Sequence, residues 1–292
     1  MNKKLVISFL LTVIAFVWAG SFIVVKTTIE EVDPIQLGFL RFLVATPLMI
    51  LILLIRKKGF KLPRKKLPSL FILGLTGVTL LYLFQFVGID LTNASTSAVL
   101  INTNVIFILL LSTTFLHEQL SIKKIVGIII SFLGVVLIMF SNMPMENLQL
   151  NNLFFLGCIF ILLSALCWAI YSIVGKRLIT HYDAFTVTTY AFLLGMMCYL
   201  PFVIMDIHTT VQHLSLDNWL AVLYLGLICS VFGYMGWYYA LQHIEASKAA
   251  VFLNFIPFFA ILLSILIGEV LTFFFLLGAI LIIYGVYLTQ KG

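Results

Sequence analysis

Polar side chains inside long apolar runs are the first candidates for chemistry in this sequence. Asn102 and Asn104 flank Thr103 in the run at 95–115, and Asn254 lies in the run at 247–267. A carboxamide both donates and accepts hydrogen bonds, so it can hold a polar solute or join two helices. Positions two apart lie about 200° apart around an α-helix, so we expect one path to be lined by Asn102 and not also by Asn104. We assign Asn104 to a contact with a neighbouring helix.

Aromatic side chains deep within the apolar runs offer a second kind of solute contact. Trp18 and Trp168 lie far from the ends of their runs. Such rings provide flat apolar walls, hydrogen-bonding edges and faces that attract cations. Core or lipid packing is the alternative, which we favour for Tyr239. The candidate solute-binding residues are Trp18, Tyr82, Gln85, Asn102, Trp168, Tyr234, Trp237 and Asn254.

Four further residues are candidates for gating or structural roles: Arg41, Glu118, Pro257 and Glu269. Arg41 could attract a carboxylate or phosphate of a solute, reach out to the acidic residues at 30–33, or brace the protein. Pro257 leaves a carbonyl one turn back without its helical bond, which suits a solute contact, a hinge or a plain kink. Glu118 and Glu269 each follow an apolar run, where contacts at a helix end or a gate would explain a carboxylate.

Motifs for enzyme or metal chemistry are absent from the sequence. There is no GxxxxGK[ST] motif, so we expect no ATP hydrolysis, and the five histidines lack HExxH spacing. The four cysteines lie inside apolar runs without paired metal spacing. His208 and His213 share a segment with Asp206 and Asp217, which we interpret as a solvated loop and not as a metal trap. We therefore expect no cofactor and no metal.

The composition places the chain in a membrane. Of the 292 residues, 63% are apolar and 10% are charged, and the mean hydropathy is +1.19. A soluble domain has about a quarter of its residues charged. The runs suit spans of ~20 residues and lack the alternation of barrel strands. We predict an all-α integral membrane protein with ten transmembrane helices, at about 5–25, 35–55, 68–88, 95–115, 122–141, 153–174, 184–205, 218–240, 247–267 and 270–289.

The basic residues set the predicted orientation. With the N-terminus inside, 15 of the 17 Lys and Arg residues fall in inner segments and only Lys26 falls in an outer one. This bias predicts that both termini are cytoplasmic. The basic segment 56–66 is a topology signal that could also bind anionic lipid headgroups. Because topology explains the formal charge of +6, we expect no nucleic-acid partner. Nothing in the sequence specifies an oligomeric state.

The two halves of the sequence resemble each other at an offset of about 150 residues. Five predicted helices per half is an odd number, so the second half must cross the membrane in the opposite direction. Inverted repeats favour alternating access around a midplane site, although duplication can also occur without transport. The matched pairs include Trp18 and Trp168, Lys26 and Lys176, Tyr82 and Tyr234, Asn102 and Asn254, Glu118 and Glu269, and Gly134 and Gly285.

The order and spacing of these residues resemble the EamA-type repeats of the drug/metabolite transporter superfamily. The resemblance also includes Phe39-Leu40-Arg41-Phe42-Leu43, and it covers 5–141 and 153–289, the two predicted repeats. Two positions depart from the usual pattern of these repeats. The first copy has Val105 where a proline is typical, and the second copy has Ala191 at the position that matches Arg41.

The resemblance implies a multi-pass secondary transporter of a prokaryotic plasma membrane that exports small metabolites, with amino acids and related amphipathic compounds favoured. A polytopic membrane enzyme, or a scaffold without transport, is the alternative.

Overall fold

Helices form most of the chain that the computed structural model describes, namely residues 3–56, 64–92, 97, 100–140, 152–264 and 273–292. Within these ranges there is no β-strand. A short helix, Ile207–His213, precedes α8. The long helices are α1 (Lys3–Thr28), α2 (Pro34–Ile55), α3 (Leu67–Leu91), α4 (Asn104–Leu116), α5 (Ile122–Phe140), α6 (Asn152–Ile179), α7 (Ala184–Phe202), α8 (Leu216–Leu241), α9 (the consecutive segments Ala246–Ala250, Val251–Asn254 and Phe255–Ser264) and α10 (Phe273–Gln290).

Six helices in the described part of the chain are long and apolar enough to cross a membrane: α1, α2, α3, α6, α7 and α8. Large apolar side chains such as Phe9, Leu133, Phe155 and Ile280 are exposed on the outer faces of the bundle. Soluble monomers rarely expose extensive apolar patches, whereas lipid-facing helices do. The prediction of an all-helical, multi-pass membrane protein is confirmed.

Aspartate caps begin α2 and α7, at positions 150 residues apart. Asp33 Oδ1 accepts hydrogen bonds from the backbone N–H groups of Ile35, at 2.9 Å, and Gln36, at 3.1 Å. Asp183 Oδ2 accepts one from the N–H of Thr186 at 3.1 Å. These bonds satisfy donors that a helix leaves open at its N-terminus. Asp33 is therefore used to start α2 and does not pair with Arg41.

Glycines bring α5 and α10 into backbone contact. A Cβ on Gly285 would lie 2.5 Å from the carbonyl oxygen of Gly127, and one on Gly134 would lie 2.7 Å from that of Gly278. Any larger residue would force these helices apart. The glycines, which lie seven residues apart in each helix, therefore permit this close packing.

Both α3 and α8 contain a π-helical stretch, at Leu75–Thr79 and at Tyr224–Phe232. A π turn widens the helix, and its carbonyls then become available to side chains on other helices. The hydroxyl of Tyr234 donates to the carbonyl of Gly77 at 2.7 Å, and Trp18 Nε1 donates to the carbonyl of Cys229 at 3.0 Å. The π stretches thus join the first half of the chain to the second.

Candidate functional site

A cavity of about 70 Å³ lies where α1, α2, α3 and the start of α4 meet α6 and α9. This is room for several water molecules, or for part of a small solute. Most of the wall comes from the first half of the chain, and the second half contributes Trp168, Leu253 and Ile256. Among the described residues, α2 contributes Arg41 to the cavity wall, and no residue of α8 lines the cavity.

Two helices line the cavity with the same residue spacing. Positions i, i+3, i+4 and i+7 form one face of an α-helix. Three of these residues, Trp18, Tyr82 and Gln85, were predicted from their chemistry, and the spacing is the sequence signal that also indicates the other five. The residues are Trp18, Ser21, Phe22 and Val25 on α1, and Tyr82, Gln85, Phe86 and Ile89 on α3.

Trp18 and Trp168 come together at the cavity, as predicted for the aromatic lining. Their ring centroids are 5.1 Å apart and their planes are perpendicular, at 90°. The Trp18 ring is held by its bond to the Cys229 carbonyl, while Trp168 packs against Tyr171 and Tyr234, at centroid distances of 5.5 and 5.4 Å. The two indoles form an ordered apolar wall.

Tyr234 and Trp237 lie behind this wall and do not reach the cavity. Both are fully buried. The hydroxyls of Tyr234 and Tyr82 are 3.0 Å apart, and Trp237 Nε1 donates to Ser172 Oγ at 3.1 Å. Tyr82 itself lines the cavity. Tyr234 and Trp237 therefore support the residues that a solute could touch.

Asn102 and Asn104 both line the cavity, contrary to the expectation that only one of them could. The expected separation of about 200° between Asn102 and Asn104 holds only in a regular α-helix, but α4 begins only at Asn104. The N–H groups of Thr103 and Val105 bond to the carbonyls of Leu100 and Asn102, at 3.1 Å each, which is the tighter i→i−3 pattern. The α-helical spacing therefore does not apply to this pair, and both asparagines line the cavity.

Asn254, the mate of Asn102, is buried away from the cavity. Its Nδ2 donates to Ser131 Oγ on α5 at 2.6 Å, and it is not among the residues that line the cavity. Asn254 ends the 3₁₀ segment Val251–Asn254, so α9 also departs from α geometry at this point. The structure gives Asn254 an interhelical contact, and its neighbour Leu253 faces the cavity.

Pro257 lies in the first turn of the segment Phe255–Ser264. A proline there removes no α-helical hydrogen bond, because the first N–H groups of a helix have no partner within it. The carbonyl that we expected Pro257 to release belongs to the 3₁₀ turn before it. Glu269 lies outside the described residues.

Arg41 lies in the cavity wall and does not reach the acidic residues at 30–33. It is 3% exposed, and its Nε donates to Ser230 Oγ on α8 at 3.0 Å. Its guanidinium carbon is 4.1 Å from the centroid of the Tyr82 ring. A Cβ on Gly226 would lie 2.8 Å from the Arg41 carbonyl, so this glycine lets α8 approach α2. Sequence analysis grouped Arg41 with gating or structural residues and left its partner open.

Glu118 binds the second half of the chain at the opposite end of α4. Its Oε1 accepts from Lys176 Nζ at 3.0 Å and from the N–H of Ala246 at 2.6 Å, while Oε2 accepts from the N–H and hydroxyl of Ser247 at 3.1 and 2.7 Å. We call these four residues the Glu118 cluster. The Glu118 carboxylate caps the N-terminus of α9, where the helix dipole favours a negative charge. The 13 residues of α4 place the cluster about 20 Å from the cavity.

The surroundings of Glu118 also act on its pKa. Burial would raise the pKa of this carboxyl, but Lys176 and the donors of Ser247 and Ala246 outweigh burial and hold it below the ordinary value. Glu118 is therefore ionised in the closed cluster. Among the described residues, no group of three or more His, Cys, Asp or Glu side chains could hold a metal ion.

Fold and site together define a multi-pass helical membrane protein with an internal polar and aromatic cavity at the meeting of its two halves. The EamA-like transporter family matches residues 5–140 and 155–290. The chain belongs to this family and is a membrane transporter, not an enzyme.

Related proteins match along nearly the whole chain. An uncharacterized transporter of Archaeoglobus fulgidus is 36% identical over 290 residues, covering 99% of this chain and 98% of that protein. A probable amino-acid metabolite efflux pump of Salmonella typhimurium is 26% identical over 298 residues, covering 97% and 94%. A solved crystal structure is similar with a TM-score of 0.77 at 17% identity, over 97% of this chain and 96% of that one. At that identity the likeness concerns the fold alone.

Proposed function

We propose that this chain is a secondary transporter that moves small metabolites by alternating access around the cavity. Its two repeats, 5–141 and 153–289, would form ten spans in inverted orientation, with both termini cytoplasmic, in a prokaryotic plasma membrane. The matched positions of the π stretches and of the aspartate caps in the two halves support a repeated architecture.

One observation carries the proposal: the cavity and the Glu118 cluster lie at opposite ends of α4, and both join the two halves. With cytoplasmic termini, the cavity lies in the outer part of the membrane and the cluster on the cytoplasmic side. The structure then corresponds to a state whose inner end is closed. Opening the inner end requires the Glu118 cluster to separate, which is the exchange that alternating access needs.

The proposed substrates are amino acids or related amphipathic compounds, and the proposed direction is export. The cavity combines indole and phenyl walls with the amides of Gln85, Asn102 and Asn104, which suits a small solute with one apolar and one polar end. The name of the Salmonella relative, an amino-acid metabolite efflux pump, agrees with this substrate class. We place Trp18, Tyr82, Gln85, Asn102, Asn104 and Trp168 in contact with the solute. Tyr234, Trp237 and Asn254 then act as supports.

The test is saturable flux in proteoliposomes that contain the purified full-length protein, measured against a panel of radiolabelled amino acids. We expect saturable movement of some members, and we expect Trp168→Ala to lose most of it. Phe155→Ala, on the lipid-facing side of the same helix and 55% exposed, is the matched control and should transport like the parent. No saturable flux of any member, or equal flux in Trp168→Ala, contradicts the proposal.

A further inference from the structure

Arg41 is a buried cation without an ion-pair partner in the described ranges of the chain. It is 3% exposed, and none of the ion pairs found there includes it. Arginine stays protonated in proteins, and a charge at membrane depth is costly unless it is paired or functional. An anion in the adjoining cavity would supply the missing partner.

The contacts of Arg41 hold its guanidinium group in place but leave its outer edge open. Nε is used by Ser230 Oγ at 3.0 Å, and one face stacks on Tyr82 at 4.1 Å. No residue in the described part of the chain accepts a hydrogen bond from either Nη atom. The two Nη groups of arginine form one edge of a planar fork that matches the two oxygens of a carboxylate. Ser230 and Tyr82 thus position a carboxylate receptor in the wall of the cavity.

The rest of the cavity wall carries no charge that would compete with this role. No Asp, Glu, Lys or His side chain is among the residues that line the described cavity. The Oδ1 atom of Asn104 is buried and has no hydrogen-bond partner among the described residues, so it can accept from a solute N–H group. Trp18, Trp168 and Phe86 offer apolar contact. The cavity therefore suits an anionic head on an apolar body and repels a solute whose only charge is positive.

We propose that Arg41 is the anion-binding residue of the cavity and that the transported solutes are small carboxylates with an apolar body. Amino acids can bind Arg41 through their carboxylate, whereas amino-acid amides and the corresponding amines have no carboxylate and cannot. The claim that these carboxylates are transported rests on the proposed function, whereas the claim that they bind at Arg41 does not. It moves Arg41 from a gating or structural role to recognition.

The experiment measures ligand-induced thermal stabilisation of the purified full-length protein. The probes are matched acids and amides: L-phenylalanine and its amide, L-leucine and its amide, and 3-phenylpropionate and 3-phenylpropionamide, with phenethylamine as the cation. Ligands that bind the folded state raise the unfolding midpoint by mass action. We expect stabilisation by acids and none by amides or amine. Equal stabilisation by acid and amide, or no stabilisation by any acid, overturns the proposal without the need for a variant.

Variants then test the residue. Arg41→Gln should weaken acid binding by about ten- to a hundredfold, because a charge-assisted pair is lost. Arg41→Lys keeps the charge but loses the fork, so its affinity should fall between those of the parent and Arg41→Gln. Ser230→Ala should weaken binding less than Arg41→Gln. If a folded Arg41→Gln or Arg41→Lys protein keeps the full preference for acids, Arg41 does not bind the carboxylate.

The same acids are assayed as flux substrates so that the two proposals fail separately. Arg41-dependent binding without flux of any solute would contradict transport and keep the anion site. Flux that persists with unchanged acid preference in Arg41→Gln would contradict the anion site and keep transport.

Discussion

The indole rings of Trp18 and Trp168 meet edge to face, with centroids 5.1 Å apart and an interplanar angle of 90°. These residues are matched by sequence across the two halves, 150 positions apart, and both line the cavity. Aromatic pairs prefer such perpendicular geometry. The repeat thus brings equivalent residues into contact at the place where the halves meet, so any rocking of one half against the other must change this contact.

Cysteine labelling tests the proposed topology. In a background without Cys158, Cys167, Cys198 and Cys229, a single cysteine replacing Lys61 should react with an impermeant reagent only from the cytoplasm. A single cysteine replacing Asn147 should react only from outside, because the loops alternate sides. Labelling of the Lys61→Cys protein from outside would invert the orientation and place the Glu118 cluster on the outer side.

Two asparagine variants separate solute contact from helix packing. Asn104→Ala should lower solute affinity by about tenfold with little loss of stability, because Asn104 lines the cavity and its Oδ1 has no hydrogen-bond partner in the described chain. Asn254→Ala should instead lower thermal stability, at a cost of about 1 kcal/mol, because it loses its bond to Ser131.

The asparagine test has a built-in control. Ser131→Ala should resemble Asn254→Ala, and the double variant should be little worse than either, because all three remove the same bond. Additive losses in the double variant, or normal flux in Asn104→Ala, would reverse the assignment of these residues.

The Glu118 cluster should hold the inner end closed. Glu118→Ala leaves the half-buried Lys176 without its ion-pair partner and the donors at the start of α9 without an acceptor, which should cost about 3 kcal/mol. A cysteine replacing the buried Ala249 should then become reactive from the cytoplasmic side. Glu30→Gln is the control, since Glu30 is exposed, lies away from the cluster and takes part in none of the ion pairs found in the described part of the chain. Equal reactivity in parent and Glu118→Ala would exclude a gate here.

Acidification should open the same end. The pKa of Glu118 is lowered in the closed structure, mainly by Lys176 and the donors of α9 against the opposing effect of burial. A lowered pKa means that the carboxylate contributes its full stabilisation above the ordinary value of 4.5 and loses it as the pH falls through the lowered value. The reactivity of the cysteine replacing Ala249, taken relative to that of an exposed reference cysteine at the same pH, should therefore rise below pH 4.5 in the parent protein. In Glu118→Gln this ratio should be independent of pH, and a parallel rise there would assign the effect to other groups.

The sequence alone determined the helical, membrane-embedded character of the chain and the residues that match between its halves. Apolar run length and composition are local properties, and backbone hydrogen bonding in lipid leaves long uniform runs no other structure than helix. It also indicated Trp18 and Trp168 as cavity residues, because tryptophan far from the ends of a span is unusual.

Only the tertiary structure decided which polar groups reach the cavity. Asn102 and Asn104 both line it, at a point where the chain between Leu100 and Val105 departs from α-helical hydrogen bonding, and Asn254 turns to Ser131, 123 positions away. The partner of Arg41, Ser230, is 189 positions away on the π stretch of α8. A helix period assigns a side chain to a face, but it cannot say where the helix departs from that period. Nor can it say which distant helix packs there, because both depend on contacts between segments far apart in the sequence.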